Sequence, residues 1–531
     1  MRREIVVAAR EPERVRRLLS RLADWLGINI VVERTNVDSH KTAQLVFCHA
    51  DDTAQFASPR PLNRLILVRG EGGEDDGARL VFSNSHRLPR LLRGQRVESC
   101  AAAALRTAIE GEVLARSGQS AVWTAVEHSE YCTEFSTESL PQLQTDQLLI
   151  DQLSLSQWRG LLPLIVFLQR MSGDDWVPPP LRACFVLDDP NLHWPTYGFL
   201  DYAALVAAAK KHNYHVAIAT IPLDGWLVHP AVARLFRENA THLSLLMHGN
   251  NHTKDELARS YDHGTRAKLV AQSLERIARL ERISNLRVPR IMVPPHSACT
   301  APMAAELLRQ GFEAVCISLE FLRRFNSTTE WSASFGLEPA EFLSRGLPVL
   351  PRFRLSEGGV GAPILAALAG QPIIPSGHHQ DLADDLRLLE KTSEIINRIG
   401  EVKWCNLGEI ARTNYKHRVS GGTLQLKMYS RRIHVSVRPD IDKVEVYRAW
   451  QEDGQFHEVL EQRLNGQAWV QADAREIPLR QENGKRRTLE LRWKLPGSID
   501  YREVSRASLH PWGVIRRLLT ETRDRCYLYR E

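Results

Sequence analysis

Residues 183–191 read ACFVLDDPN: an apolar run, then two adjacent carboxylates, then a turn. A short apolar run without alternation predicts a strand buried on both faces, Ala183–Leu187. Such strands belong to parallel sheets covered by helices. The chain downstream repeats this texture. Strands are predicted at His215–Ile221, Leu243–Met247, Arg290–Val293, Ala314–Leu319 and Pro372–Pro375. Between them lie helical patterns at Phe199–His212, Pro230–Glu238, Pro302–Gln310 and Asp381–Ile399. Thr253-Lys254-Asp255-Glu256 has the form of a capping box, predicting a helix from there to Ile283. Strands regularly separated by helices imply parallel pairing, so the rhythm predicts an α/β barrel or a doubly wound sheet.

The flanking regions differ. Residues 1–150 alternate short β-rich runs with an amphipathic stretch at Pro12–Leu26, which predicts an open α/β domain. Residues 151–180 hold a helical segment, Ser154–Met171, and the stiff run Val177–Pro180, a natural boundary. The βα unit is assigned to 181–418. Residues 419–531 show short alternating runs spaced by Gly, Asn, Asp and Pro, which predict an antiparallel β-sandwich. They close with a helical pattern at Pro511–Arg525.

Composition narrows the function. In 531 residues, 69 Lys+Arg against 63 Asp+Glu give +6, too small a bias to argue for nucleic acid. From residue 421 onward 21 basic and 16 acidic residues leave +5, so nearly the whole excess sits at the C-terminal end. With Trp512, that basic region is expected to offer peripheral contact to an acidic membrane surface. The eight cysteines form no C-x-x-C pair and read as buried thiols of a reducing compartment. The N-terminal sequence lacks the apolar core of a signal peptide, so the chain is expected to be cytoplasmic.

Parallel sheets bind ligands at the C-terminal ends of their strands. Those positions carry Asp188, Asp189 and Asn191, then His248 and His252, then Pro294, Pro295 and His296, then His378, His379 and Asp381. Lys and Arg are absent from these tips, which argues against a phosphate site. Two histidines four apart plus an aspartate make a three-ligand set for Zn²⁺, or for Fe or Co. A second adjacent aspartate is then free to act as a base. Asn250, Asn251 or Asp381 is expected to orient an imidazole N–H.

On these residues, region 181–410 resembles the polysaccharide deacetylases of carbohydrate esterase family four. Phe185-Val186-Leu187-Asp188-Asp189 is similar to the family's Phe-Asp-Asp motif, and His248-x-x-x-His252 to its His-x-x-x-His motif. The resemblance implies a distorted (β/α) barrel. It implies Asp188 as catalytic base and Asp189, His248 and His252 as metal ligands, with His378 or His379 as general acid. Arg290 to Pro294-Pro295 resembles the family's Arg- and Pro-containing third motif. Asn191 and His296 have no standard counterpart and are read as substrate contacts, together with Arg290 and Pro295. Pro190 replaces the usual Gly, Gly249 stands where Ser or Thr is common, and no Asp-and-Trp motif is found.

The resulting expectation is a zinc-type hydrolase that deacetylates an N-acetylated sugar or glycan precursor. Two other classes remain. One is a non-catalytic glycan-binding or assembly protein on the same scaffold. The other is a glycosidase using Asp188 with Glu320 or Asp381 as its carboxylate pair.

Overall fold

A computed structural model describes residues 4–9, 12–33, 43–49, 62–69, 79–98, 109–137, 140–145, 147–153, 158–173, 176–344, 346–356, 359–451, 458–479, 486–508 and 511–526. Its centre is a nine-stranded sheet. The parallel strands are β1 (Phe185–Asp188), β2 (Val216–Thr220), β3 (Leu243–His248), β4 (Ile291–Val293), β5 (Ala314–Ile317), β6 (Leu347–Pro351), β7 (Phe353–Arg354) and β8 (Pro375–His378). In space they run β6-β5-β4-β3-β2-β1-β8-β7, with Glu341–Leu343 antiparallel on the outside of β6.

Side-chain parity divides the strands between two cores. Phe185 and Leu187 join Ile218, Leu245 and Met247 under the surrounding helices. These include α1 (Tyr202–His212), α2 (Pro230–Glu238), α3 (His263–Ser284) and α4 (Ala301–Arg309). Cys184 and Val186 face the other side, with the small residues Ala217, Ala219 and Ala314 and with Leu407 and Ile410. Asp188 has the parity of Val186, so a carboxylate is carried toward that inner side.

The strand order is open and no closed barrel is formed among the described residues, in contrast to the barrel expectation. Nevertheless β6 and β7 are separated by one residue, Arg352. β6 pairs with β5 at one end of the sheet, and β7 pairs with β8 at the other. The run Leu347–Arg354 was not foreseen as a strand. Pro348 and Pro351 weaken it as a ladder element, because each removes a donor.

Two further boundaries move. The helix expected from Thr253 begins at His263, capped by the Asp262 side chain on the Thr265 N–H. The Glu256 carboxylate accepts instead from the backbone N–H groups of Asn250, Asn251 and His252. It therefore folds a loop rather than opening a helix. The strand expected at 372–375 lies at Pro375–His378.

The N-terminal region forms one open, mixed nine-stranded sheet in which the expected helix Pro12–Leu26 joins the parallel strands Glu4–Ala9 and Asn29–Glu33. Parallel strands Glu4–Ala9, Asn29–Glu33, Ala43–His49 and Asn63–Arg69 continue into an antiparallel series through Cys132–Thr137. Helix Trp158–Ser172 buries Leu161, Leu164, Ile165 and Leu168 against it. Residues 415–494 form two four-stranded sheets around a shared core that includes Leu426, Ile433, Val444 and Leu491. The last described element is α5 (Pro511–Cys526), which returns to the C-terminal ends of β1–β3. No described helix is long and apolar enough to cross a membrane.

Candidate metal centre

β1 ends on Asp188, and the chain turns at Asp189 with φ of +86°, a left-handed conformation seldom adopted by a non-glycine residue. The turn separates the two carboxylates. Asp188 keeps the strand's parity and meets Arg352, whose Nη1 lies 3.0 and 2.9 Å from its two oxygens. Both side chains are buried. Nη2 of the same guanidinium donates to Ser297 Oγ at 3.1 Å. Burial opposes the charge of Arg352, but the Asp188 carboxylate outweighs it and holds its pKa above the ordinary value. Strand register places His378 directly beside Asp188.

Asp189 faces two imidazoles. Oδ1 lies 3.4 Å from His248 Nε2 and 3.0 Å from His252 Nε2. The alignment makes neither contact a regular hydrogen bond, so Oδ1 is buried without a donor. The three ligand atoms lie within 4.8 Å of one another, the only such His/Cys/Asp/Glu group among the described residues. Burial pushes the Asp189 carboxyl up, but the facing imidazoles reverse this and hold it well below the usual range.

The histidines are preset. His248 ends β3, and its Nδ1 lies 2.9 Å from the Val293 carbonyl oxygen, which accepts from Nδ1–H and leaves Nε2 facing Asp189. His252 sits at φ of +54° on the loop held by Glu256. That loop needs glycine at 249: φ is +63°, and a Cβ would come within 2.5 Å of Pro295 Cγ and 2.7 Å of Glu256 Oε2. A Ser or Thr there would collide with both. An orphaned buried oxygen, an oriented imidazole and a second imidazole aimed at the same point fit a divalent cation with one carboxylate and two nitrogen ligands. Arg516 Nη2 approaches His252 Nδ1 at 3.3 Å. A cation on Nε2 would place the proton on Nδ1, so Arg516 would then give up donating to that atom.

The two candidate acids separate. His378 is half exposed, with Nε2 4.0 Å from Asp189 Oδ2. Its backbone N–H donates to the Asp381 carboxylate at 2.8 Å. His379 is buried against Tyr197 and Phe199, with Nε2 3.7 Å from Asp524 of α5.

Other expected residues fall elsewhere. Arg290 precedes β4, at the opposite end of the sheet from the centre, and is paired with Glu281 at 2.8 Å. The third-motif reading of Arg290 is therefore corrected: the guanidinium at the carboxylates is Arg352. Asn250 and Asn251 contact Arg276 rather than an imidazole, and the His248 N–H goes to a backbone carbonyl. Asn191 is buried in its own turn, accepting from the His193 N–H. Pro295 is buried under Gly249, and His296 is exposed with its ring 5.3 Å from that of His252. Glu320 is exposed on helix Leu319–Phe325, and Asp381 is engaged by His378, so neither forms a pair with Asp188.

Three arginines were missed. Arg352 follows an apolar run at a strand end, where the rule that found the aspartates also applies; the prolines hid it. Arg516 and Arg517 lie on α5. Arg517 is buried, ion-paired to Asp224 at 2.7 Å and donating to the Asp189 carbonyl at 2.9 Å. Nothing local in the sequence announces that contact.

No protein-family model matches the chain, and no curated protein matches it. Several solved structures are similar to part of it. Peptidoglycan deacetylase PdaC from Bacillus subtilis shares 14% identity, over 45% of this chain and 93% of that one, with a TM-score of 0.25. A family 4 carbohydrate esterase from Streptomyces lividans in complex with acetate shares 11%, over 42% and 86%, at 0.23. A mutant of a carbohydrate esterase family 4 pseudoenzyme with restored activity shares 10%, over 43% and 70%, at 0.24.

Proposed function

We propose that the chain is a metal-dependent hydrolase that removes acetyl groups from an N-acetylated sugar or glycan precursor. The observation that carries the reading is the convergence of Asp189, His248 and His252 within 4.8 Å, next to a separately held Asp188. A divalent cation on those three ligands, with zinc the best match to one oxygen and two nitrogens, supplies Lewis acidity toward a carbonyl oxygen and lowers the pKa of water.

The chain's own groups do the rest. Asp188 takes a proton from the attacking water as its oxygen bonds to the acetyl carbon. Arg352 contacts both carboxylate oxygens, so Asp188 presents one orientation. His378, exposed beside Asp188, gives a proton to the departing nitrogen as the C–N bond breaks, leaving acetate and a free amine. Each proton transfer of this kind contributes about 10²–10⁴-fold.

The test measures metal content and acetate release from N-acetylated oligosaccharides. Full-length protein is expected to hold one equivalent of metal. Asp189→Ala and His248→Ala lose it, whereas Asp188→Asn retains it and loses turnover. His378→Ala retains metal and slows turnover by about 10²–10⁴-fold. Unchanged metal in the first two variants refutes the ligand set. Metal-loaded protein that releases no acetate leaves a glycan-binding scaffold instead.

A further inference from the structure

Helix α5 is amphipathic the wrong way round for an isolated globular chain. Its inner face is polar: Arg517 pairs with Asp224, Glu521 lies 3.5 Å from His193, and Asp524 accepts from the Tyr197 hydroxyl at 2.9 Å. Its outer face is apolar. Trp512 is 60% exposed and Leu519 62%, with Val514, Ile515 and Leu518 also open to solvent. The patch extends onto the central unit. Trp226 shares a cavity of about 230 Å³ with His193, Val514 and Leu518, and Trp194, next to His193 in the chain, is exposed too. A contiguous apolar surface of this kind marks a binding site rather than ordinary solvent-facing surface.

Its chemistry selects the occupant. No acidic side chain lies among the outward positions 512, 514, 515, 518, 519, 522 and 523. Arg279 is exposed at its margin, as is Arg523, which also pairs with Asp524 at 2.8 Å. A second copy docking by two-fold symmetry would set this cationic margin against itself. Exposed tryptophans, leucines and peripheral arginines instead match the layers of a bilayer surface: acyl boundary, interfacial belt and anionic headgroups. At 1.5 Å per residue the helix offers about 24 Å of contact lying flat.

We infer that the outer face of α5, with Trp226, docks the protein onto an anionic lipid bilayer. The surface lies at the same end of the sheet as Asp189, because Arg517 on the opposite face of α5 holds the Asp189 carbonyl. Resting on the hydrolase reading, this makes a lipid-linked N-acetylated sugar the substrate class. Docking itself needs no metal.

Full-length protein is sedimented with phosphatidylcholine vesicles, with or without about 30% phosphatidylglycerol. Binding to the anionic vesicles is expected, released by about 0.5 M salt. Leu518→Asp/Leu519→Asp is expected to lower vesicle affinity at least about tenfold, with circular dichroism and metal content unchanged. Asp189→Ala is expected to bind vesicles like the wild type, which separates docking from failure of the metal-site reading. Three results overturn the inference: wild-type protein left in the supernatant, equal binding to neutral and anionic vesicles, or full binding by the double variant. A dimer in light scattering that the double variant dissolves also overturns it, assigning the face to self-association.

Discussion

Replacing Arg352 by Met deletes the guanidinium that both oxygens of Asp188 contact at 3.0 and 2.9 Å. At that separation, attraction between unit charges is roughly 5 kcal/mol for an effective dielectric near 20. Both side chains are almost fully shielded, at 6% and 7% exposure, so solvent screens little of it. Desolvation of both ions offsets most of this, and the intact pair adds little net stability. Breaking it is different, because Asp188 is left buried without a counter-ion. Arg352→Met is therefore expected to cost about 3–5 kcal/mol, and Arg352→Met/Asp188→Leu to recover most of that. Equilibrium urea unfolding of the two single variants and the double variant gives the coupling energy, once calorimetry shows which transition belongs to the central unit. A cost below about 1 kcal/mol for Arg352→Met, or strictly additive single effects, would refute the pairing argument.

Two other perturbations address parts of the fold around the centre. Burial raises the Glu341 carboxyl from 4.5 to about 7 although Oε1 accepts the Gly336 N–H at 2.7 Å. The fold favours its protonated form, so this contribution is complete below pH 4.5 and is lost as pH rises through about 7. Glu341→Gln keeps the acceptor; it should leave stability at pH 4 unchanged and raise it by up to about 3 kcal/mol at pH 8, and equal stability of variant and wild type at pH 8 counts against the burial argument. At Gly198, φ is +52° and an added Cβ would lie 2.2 Å from His379 Nδ1. Gly198→Ala is expected to cost about 1–3 kcal/mol and to speed amide exchange along 511–526, since His379 and Tyr197 support Asp524; unchanged exchange there would show that α5 does not depend on this cluster.

The parallel rhythm from Phe185 to Ile317 was legible because each strand is a short apolar run and each helix has a start signal. The Asp-Asp and His-x-x-x-His groups were legible because strand-end positions are few and chemically distinctive. What stayed hidden shares one cause. Glu256 has the spacing of a capping residue, and only the path of the loop decides that it satisfies residues 250–252 instead. Arg290 sits at the expected place along the chain but at the wrong end of its strand. Arg352 and Arg517 act across 164 and 328 positions, and local periodicity carries no information at such separations. The inner face of α5 is polar and its outer face apolar, so pattern alone would have turned the helix around.

That reversal also affects how the molecule is completed. Asp224 is buried and its cationic partner, Arg517, lies 293 positions further on. Every strand of the central sheet is thus synthesised before the arginine that pairs with this buried carboxyl. A chain that stops short of α5 is therefore expected to leave an open, protease-sensitive rim where Arg517 covers Asp224.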